Sequence, residues 1–239
     1  MRTGTASEVR ATARYGREVT SLRGALADFL RRPSPWVILA GVAIAVAVRA
    51  AVGDFGWIDF AAVAGMLIIY PFGEWAIHVY LLHMKPFRIR GKRVLPVAAR
   101  AHRAHHKTPN DLDQLLLYWW QVAALLVLAV PPVLALAGFL AFLITGAVPL
   151  PVLASGLVTG YVLVLAYEWT HFLIHTAYRP RSSVYRQVWR NHRLHHFKNE
   201  HYWHGVTQNL SDRVLGTNPD QRDVRRSKTA RTLDPGPAG

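Results

Sequence analysis

The chain has 239 residues, enough for one compact domain, and 51% of them are hydrophobic. A net charge of +14 would by itself suggest nucleic-acid binding, but the basic residues alternate with long apolar blocks that could not face water, so no nucleic-acid partner is expected. The lack of cysteine excludes disulfides, thiolate zinc sites and cysteine-bound iron–sulfur clusters, so any metal must be held by nitrogen and oxygen ligands.

Residues 1–34 are predicted to form a basic cytoplasmic segment without a cleavable signal peptide, since no apolar core of the usual length is present. Its apolar residues recur at helical spacing between arginines, which predicts an amphipathic helix. Two placements fit that helix, the membrane surface and a packed position against a cytoplasmic cap. The residues concerned are Tyr15, Val19, Leu22, Leu26 and Phe29, between Arg14, Arg17, Arg23 and Arg31.

Four apolar stretches follow, at 36–52, 58–82, 115–146 and 150–174. A helix that crosses a bilayer needs about 20 residues, so three of them fit one crossing each. The stretch 115–146 is longer and is interrupted at Pro131 and Pro132, and we interpret it as one net crossing with a kinked or interfacial helix after the prolines. The alternative is a short helical hairpin that dips into the membrane, followed by a separate span.

The number of crossings also decides where the histidines lie. Two full crossings between 115 and 146 would put His83 and His106 on the opposite side of the membrane from His171 and His192, and ligands of one site cannot be divided in this way. Of the 28 lysines and arginines, seven precede residue 35, eight lie between 84 and 110, twelve follow 175, and Arg49 stands apart. With four crossings these three regions share one face, which the positive-inside rule makes cytoplasmic.

The predicted fold is therefore an all-α integral membrane bundle of about four transmembrane helices, with a cytoplasmic helical cap that holds a histidine-rich dimetal site. The expected localisation is a multi-pass membrane protein whose active site and both termini are cytoplasmic. Residues 35–220 form the predicted membrane-embedded catalytic domain. Residues 221–239 are rich in Arg, Lys, Asp, Pro and Gly and are predicted to be a disordered tail.

The twelve histidines contain one pattern written twice. His78-x4-His83 is followed by His102-x2-His105-His106, and His171-x3-His175 is followed by His192-x2-His195-His196. Imidazole is the commonest side-chain ligand of metals, so clustering at duplicated spacing favours a metal site over scattered structural histidines. Residues four apart share a helical face, but five residues cover about 140° of an ideal α-helix, so His78 and His83 reach one site only if the helix ends or distorts between them.

Each copy of the pattern offers five imidazoles, and ten exceed the roughly four to six positions around one first-row ion, so two metals are expected. Glu74 and Glu168 precede the first histidine pairs. They are expected either to orient a histidine ring from behind or to pair with a loop arginine. The box arginines are expected to be structural or phosphate-facing, since guanidinium cannot bind a cation. They are Arg100, Arg103, Arg190 and Arg193.

The boxes HVYLLH, HRAHH, HFLIH and HRLHH, with the later stretch RLHHFKNEHYWHGVTQNLSDRVLGT, resemble the fatty acid hydroxylase and sterol desaturase superfamily of integral-membrane di-iron enzymes over residues 70–220. The resemblance implies that the ten box histidines are the metal ligands: His78, His83, His102, His105, His106, His171, His175, His192, His195 and His196. It places His201 and His204 near the metal or the substrate mouth. Tyr202, Trp203 and Asn209 either line that mouth or serve packing.

The resemblance further implies an oxidoreductase that uses two iron ions and O2 to hydroxylate or desaturate an alkyl C–H bond of a lipid, most closely a fatty acyl or sphingolipid chain or a sterol. Electrons are expected from a separate donor, a reductase with a ferredoxin or a cytochrome b5-like protein. Zinc would bind the same imidazoles, so zinc in the purified protein is compatible with this assignment. The rival interpretations are a zinc-dependent membrane hydrolase, a metal transporter and an inactive structural homologue.

Overall fold

A computed structural model describes residues 15–233 of the chain. Most of the described residues are helical, as predicted. The elements in chain order are a 3-10 turn (Gly16–Glu18), α1 (Leu22–Leu30), α2 (Pro33–Val52), α3 (Trp57–Ala76), a π-helix (Ile77–Leu82), β1 (Phe87–Ile89), β2 (Lys92–Val94), α4 (Val97–Lys107), α5 (Trp119–Leu128), α6 (Val130–Thr145), α7 (Leu150–Ile174), α8 (Ser183–Phe197) and α9 (Leu210–Val214). The antiparallel hairpin of β1 and β2 was not predicted.

Four helical stretches are long and apolar enough to cross a bilayer: Pro33–Val52, Trp57–Leu82, Trp119–Thr145 and Leu150–Ile174. The third comprises α5 and α6, which separate at Ala129. Pro131 therefore lies in the first turn of α6, where a missing backbone N–H costs no hydrogen bond. The interruption expected at the proline pair is confirmed, and it divides one apolar run of 27 residues.

The chain divides into two compact units. The first, called the helix unit, comprises Asp28–Tyr70 and Leu117–Trp169. Its core is formed where α2, α5 and α7 pack together, and Tyr161 donates a hydrogen bond from its hydroxyl to the carbonyl of Leu126 (2.7 Å). The buried members of this core are Ile38, Ala45, Val122, Leu126 and Tyr161.

Arg49, the basic residue that stood apart in the sequence, is buried within the helix unit. Its guanidinium pairs with the carboxylate of Asp59 (2.8 Å), and its Nε also donates to Ser155 (2.8 Å). A charged side chain within an apolar helix is stable only when it is paired, and these contacts supply the pairing. The pair thus ties together α2, α3 and α7.

The second unit, called the histidine unit, contains the described residues of Met1–Ala27, Pro71–Leu116 and Thr170–Gly239. The predicted N-terminal amphipathic helix is only partly observed, because α1 begins at Leu22, after Ser21 has accepted a hydrogen bond from the Gly24 amide (3.0 Å). The Gly16 amide donates a hydrogen bond to the carbonyl of Asn110, and the Gly16 carbonyl accepts one from the amide of Ala177. The segment before α1 is therefore packed on the histidine unit, while Arg14 lies outside the described residues.

The predicted disordered tail is wrong for residues 221–233. The amide of Ser227 donates to the carbonyl of Lys198 (2.8 Å), and Val224, Ala230 and Leu233 are buried. This segment has the composition of a disordered chain. Its polar groups nevertheless form hydrogen bonds with the end of α4 and with residues 198–200, which follow α8, and three of its apolar side chains are buried. Residues 234–239 lie outside the described part.

Candidate metal centre

The two apolar helices that carry histidines end differently, because their histidine pairs are spaced five and four residues apart. The π-helix Ile77–Leu82 continues α3, and the His83 amide donates to the carbonyl of His78 (3.0 Å), five residues earlier. In the second copy His171 lies in α7 and His175 directly follows its last residue, and a spacing of four suits an ordinary α-helix. The distortion expected between His78 and His83 is confirmed, and it places both side chains on one face.

The other six box histidines lie on α4 and α8, each of which begins just after its linker. Ser182 starts α8 by accepting a hydrogen bond from the Tyr185 amide (3.2 Å), and α4 begins directly after Pro96. Both helices carry their histidines in the last two turns. All six imidazoles are buried there.

The structure brings the ten box histidines together in two groups of five, in each of which the potential ligand nitrogens lie within 4.8 Å of one another. Histidine group 1 contains His78, His83, His102, His106 and His195. Histidine group 2 contains His105, His171, His175, His192 and His196.

Each sequence copy offers five imidazoles, but the two groups do not follow the two copies. His105, from the first copy, belongs to group 2, and His195, from the second copy, belongs to group 1. At roughly 100° per residue, His106 lies about 40° to one side of His102 and His105 about 60° to the other. The middle histidine of each x2-HH box therefore points away from its own group and into the neighbouring one.

The two groups lie side by side. The rings of His106 and His196, which are the last histidines of the two boxes, are 4.1 Å apart between centroids. These residues occupy equivalent positions in the two sequence copies, so the arrangement is close to a two-fold repeat.

The distances between ring nitrogens fit a shared cation better than hydrogen bonds. Nε2 of His102 lies 3.1 to 3.2 Å from Nε2 of His78, His83 and His106. One imidazole nitrogen offers either one N–H or one lone pair, so it cannot satisfy three such neighbours. Two nitrogens that each lie about 2.1 Å from one ion, with an N–ion–N angle of 90°, would be roughly 3.0 Å apart. Group 2 shows the same spacing, with Nε2 of His192 3.0 Å from Nε2 of His175 and of His196.

Backbone carbonyls set the orientation of three rings in group 1. Nδ1 of His78 lies 2.6 Å from the carbonyl of His204, and Nδ1 of His195 lies 2.8 Å from that of Tyr202. Nδ1 of His106 lies 2.8 Å from the carbonyl of Ala230. Because a carbonyl only accepts, the proton is on Nδ1 and the lone pair of Nε2 faces the other histidines. This is the tautomer that a metal ligand needs.

The surroundings keep these imidazoles neutral. Burial, followed by repulsion from neighbouring imidazoles, lowers the pKa of the box histidines outside the apolar helices, namely His83, His102, His105, His175, His192, His195 and His196. Burial lowers the pKa of His106 to about 4, although the Ala230 carbonyl opposes the shift. Neutral imidazoles are the form that binds metals.

These shifts predict that the metal-free protein loses stability in acid. The histidine pKa values are below the ordinary 6.5 in the folded state, so the unfolded chain binds more protons once the pH falls below that value. The contribution of the neutral buried histidines to the free energy of unfolding is complete above about pH 6.5 and is lost as the pH falls towards 4. The slope is up to about 1.4 kcal/mol per pH unit for each histidine. Thermal unfolding in detergent should show a midpoint that falls steeply below about pH 6.5. A midpoint independent of pH from 8 to about 5 would contradict this.

Glu74 reaches the metal centre through a loop. Its carboxylate accepts hydrogen bonds from the amides of Val206 and Thr207 and from the Thr207 hydroxyl. That loop also carries the His204 carbonyl, which faces His78. Glu74 thus contributes to orienting a ring by holding the segment behind it.

Glu168 is buried in the helix unit, where its carboxylate is hydrogen-bonded to the backbone of Leu117. The expected orientation of a histidine by Glu168 stays a prediction. Two of the four box arginines have contacts that are structural. Arg103 donates to the carbonyls of Met84 and Leu233, and Arg193 stacks on the ring of Trp189 at 4.9 Å.

The residues assigned to the mouth separate into different environments. His204 is buried, with its ring 5.3 to 5.6 Å from those of His78, His83 and His195. The side chain of His201 is 70% exposed and faces Glu200, so the two histidines are not equivalent. Trp203 is buried and donates from Nε1 to the Pro219 carbonyl (3.3 Å), which is a packing role.

Tyr202 and Asn209 have other roles around the same loop. Tyr202 contributes the backbone carbonyl that faces His195. Asn209 is buried, and its Oδ1 has no hydrogen-bond partner among the described residues. An unsatisfied buried oxygen of this kind is available to a ligand or a water.

Two parts of the centre were not predicted from the sequence. Asp212 accepts hydrogen bonds from the amides of His204 and Gly205 and from the Thr217 hydroxyl, and it thereby fixes the loop after α8. The second part, residues 227–233, is called the C-terminal strap. Asp212 and Thr217 belong to the Asp-x3-Gly-Thr pattern that ends the stretch RLHHFKNEHYWHGVTQNLSDRVLGT, and this pattern could have indicated the role of Asp212.

The C-terminal strap covers the last turn of α4. The Ala230 carbonyl faces His106, and Arg231 donates to the carbonyls of His106 (3.0 Å) and Lys107 (2.6 Å). The Thr229 hydroxyl donates to Glu200, in the loop after α8. The strap therefore connects the ends of both box helices.

The sequence profile of the fatty acid hydroxylase family matches residues 63–217, about two thirds of the chain and all ten box histidines. The chain belongs to this family. Among curated members it is 30% identical over 157 residues to dihydroceramide fatty acyl 2-hydroxylase FAH2 of Arabidopsis thaliana, an alignment that covers 65% of this chain and 61% of the relative. It is 32% identical over 155 residues to fatty acid 2-hydroxylase of Mus musculus, which covers 65% of this chain and 38% of the relative.

This fatty acid hydroxylase family member thus spans about three fifths of the plant relative and less of the mouse one. A solved structure of full-length scs7p, in which only the hydroxylase domain is visible, has a similar fold. The TM-score is 0.54 at 20% identity, over 87% of this chain and 70% of that one. That likeness concerns the fold.

Proposed function

We propose that this chain is a membrane-bound, O2-dependent di-iron hydroxylase that acts on the alkyl chain of a lipid. The observation that carries the proposal is the pair of five-histidine groups, whose Nε2 atoms converge and whose rings adjoin at His106 and His196. Family membership supports the same conclusion. The ten box histidines are assigned as the ligands, five for each ion.

The proposed substrate is a fatty acyl chain, free or in a ceramide, and the proposed position is carbon 2. The support comes from the named activities of the relatives, a dihydroceramide fatty acyl 2-hydroxylase and a fatty acid 2-hydroxylase. The long apolar helices suit a lipid substrate, because they would admit an alkyl chain from the bilayer.

The chemistry that the bound irons would supply is reductive activation of O2, which places one oxygen atom on the substrate carbon and the other in water. The residues of the chain have the supporting roles. The carbonyls of His204, Tyr202 and Ala230 hold the Nδ1 protons and aim three rings. Burial of the imidazoles excludes water and keeps the ligands neutral. Electrons are assigned to a separate donor protein.

The proposed orientation places four crossings in the membrane, with the metal centre and both termini on the cytoplasmic side. Its support is the distribution of lysine and arginine, of which 27 of 28 fall in the three regions that four crossings bring to one face. A midplane site in interrupted helices, which is typical of transporters, would not collect the histidines beside these basic segments.

Isotope labelling tests the proposed reaction. Iron-loaded protein is incubated with a reductant, a ferredoxin or cytochrome b5-like donor, ceramide or free fatty acid, and ¹⁸O2, and the lipids are analysed by mass spectrometry. A product that gains one ¹⁸O atom is expected. Turnover that persists without oxygen or reductant would contradict the proposal and favour a zinc-dependent hydrolase, while loss of two hydrogens without gain of oxygen would identify a desaturase.

A further inference from the structure

Helix α8 has two faces of different chemistry. Arg186, Arg190 and Arg193 follow one another at spacings of four and three residues, so they share one face of the helix. At 100° per residue, their mean direction lies roughly 130° from that of the three metal ligands of α8. The arginines are exposed or half-buried, whereas the three ligands are fully buried: His192, His195 and His196.

Arg193 is held between two aromatic rings but has no hydrogen-bond acceptor. Its guanidinium carbon lies 4.9 Å from the ring centroid of Trp189 and 5.5 Å from that of Phe197. Arg103 occupies the equivalent position of the first sequence copy, and it donates to two backbone carbonyls. No such acceptor faces Arg193 in the described part of the chain. The N–H groups of this fixed guanidinium therefore remain available to a binding partner.

The same surface continues onto the C-terminal strap. Arg231 lies 5.2 Å from the ring centroid of Phe197, so this ring contacts two guanidiniums. Arg186 and Arg190 each make one hydrogen bond, to an uncharged oxygen. None of the guanidiniums of Arg186, Arg190, Arg193 and Arg231 forms an ion pair with a carboxylate of residues 15–233. These four arginines with the Phe197 ring are called the arginine surface, which carries positive charge without a counter-charge.

The composition of the arginine surface favours an acidic protein over a membrane as its partner. Arginine and aromatic side chains are enriched where proteins bind tightly, and the rings of Trp189 and Phe197 fix the central guanidinium before binding. A surface that enters a bilayer needs exposed apolar side chains. Among the described residues of α8, the exposed large apolar side chain is Val184, about 160° around the helix from Arg186. The arginine surface therefore calls for carboxylates.

The arginine surface lies close to both histidine groups. A helix with its side chains is about 10 Å wide, so the outer face of α8 is roughly that far from the ligands on its inner face. Among these ligands, His195 belongs to group 1, while His192 and His196 belong to group 2. Arg231 also donates to the carbonyl of His106, a ligand of group 1 (3.0 Å). A redox protein bound here would be close to both sites.

We propose that the arginine surface docks an acidic electron-transfer protein, the separate donor of the proposed reaction. Carboxylates of the donor pair with Arg186 and Arg190 at the rim and with Arg193 at the centre. Each reduced donor gives up one electron and leaves oxidised, so two successive dockings supply two electrons. With O2, two protons and the substrate C–H bond, these electrons give one hydroxyl group and one water. The inference rests on the proposed function, but docking itself needs no turnover.

Binding of an oxidised donor, without reductant, tests the docking surface. The full-length protein in phosphatidylcholine nanodiscs is titrated with two acidic probes, a [2Fe–2S] ferredoxin and a soluble cytochrome b5 domain, by surface plasmon resonance at rising salt. Replacing Arg186 and Arg190 with glutamine (R186Q/R190Q) should lower the association rate by about tenfold at low salt. The matched control R88Q/K92Q removes two exposed charges of the hairpin and should bind like the wild type.

Arg193→Gln tests the centre of the surface. The Kd of the probe that binds should rise by at least about fivefold, mainly through faster dissociation. Metal content and the thermal midpoint, measured in parallel, show whether the variant keeps its fold. If it does not, R186Q/R190Q still decides, because those two side chains are exposed.

Three outcomes would overturn this proposal. The first is equal binding of the probes by R186Q/R190Q and R88Q/K92Q, and the second is a wild type that binds neither probe. The third is unchanged probe binding by R186Q/R190Q with weaker retention of phosphatidylglycerol in mixed nanodiscs, which assigns the surface to lipid. If probe binding follows expectation but no ¹⁸O product forms, the proposed reaction fails while the docking surface stands.

Discussion

Replacing His105 and His196 together with alanine is expected to remove one metal ion from each chain and to leave the other in place. Both residues belong to histidine group 2, with their Nε2 atoms 3.2 Å apart, although they come from different sequence copies. Replacing His105 and His106 together is expected to reduce both ions, because these neighbours belong to different groups. Metal analysis of each purified variant, with protein concentration measured in parallel, gives the stoichiometry.

This pair of variants distinguishes the crossed arrangement from one that follows the sequence copies. If each copy built its own site, His105→Ala/His106→Ala would retain one ion and His105→Ala/His196→Ala would lose both. Turnover should be abolished in either variant, since both ions are required in the proposed reaction. His201→Ala is the control, because its side chain is 70% exposed, and it should retain both ions and full activity.

Removing the C-terminal strap should weaken metal binding in group 1. A chain that ends at Arg226 loses the Ala230 carbonyl, which faces Nδ1 of His106, and the Arg231 contacts with the end of α4. Partners behind a ligating histidine typically change metal affinity by about 10- to 100-fold. Competition with a metal chelator should therefore remove the group 1 ion from the truncated chain at 10- to 100-fold lower chelator concentration.

The matched control ends at Leu233, which keeps every strap contact described above. It should hold both ions as the full chain does. A strap that served general stability alone would lower the thermal midpoint and the retention of both ions equally. Selective loss from group 1, with group 2 unchanged, is the result that identifies the strap as a positioning element for His106.

The sequence was sufficient for those parts of the structure that depend on local periodicity. Apolar runs of about 20 residues predict spanning helices by length, and the five-residue spacing of His78 and His83 predicts a local distortion, which the π-helix provides. The family resemblance rested on four boxes together, and the profile match covers all of them. Each apolar run and each single box consists of residues that are close in the chain.

The parts that sequence reasoning missed depend on how distant segments pack. The exchange of His105 and His195 between groups is determined by the position of α4 beside α8, although the i+3 spacing already turned each middle histidine away from its neighbour. The strap has a disordered composition, and its contacts with His106 and Glu200 arise from backbone groups that no sequence pattern displays. The Glu74 contact with residues 206–207 crosses more than 130 positions of the chain.

The central claim is that ten histidines from two sequence copies build two adjacent metal sites with their middle histidines exchanged. Anomalous diffraction at the iron edge from crystals of the iron-loaded protein tests it most directly. The expected result is two anomalous peaks, one enclosed by His78, His83, His102, His106 and His195 and the other by His105, His171, His175, His192 and His196. A single peak would contradict this arrangement. So would two peaks of which one has both His105 and His106 as ligands and the other has both His195 and His196.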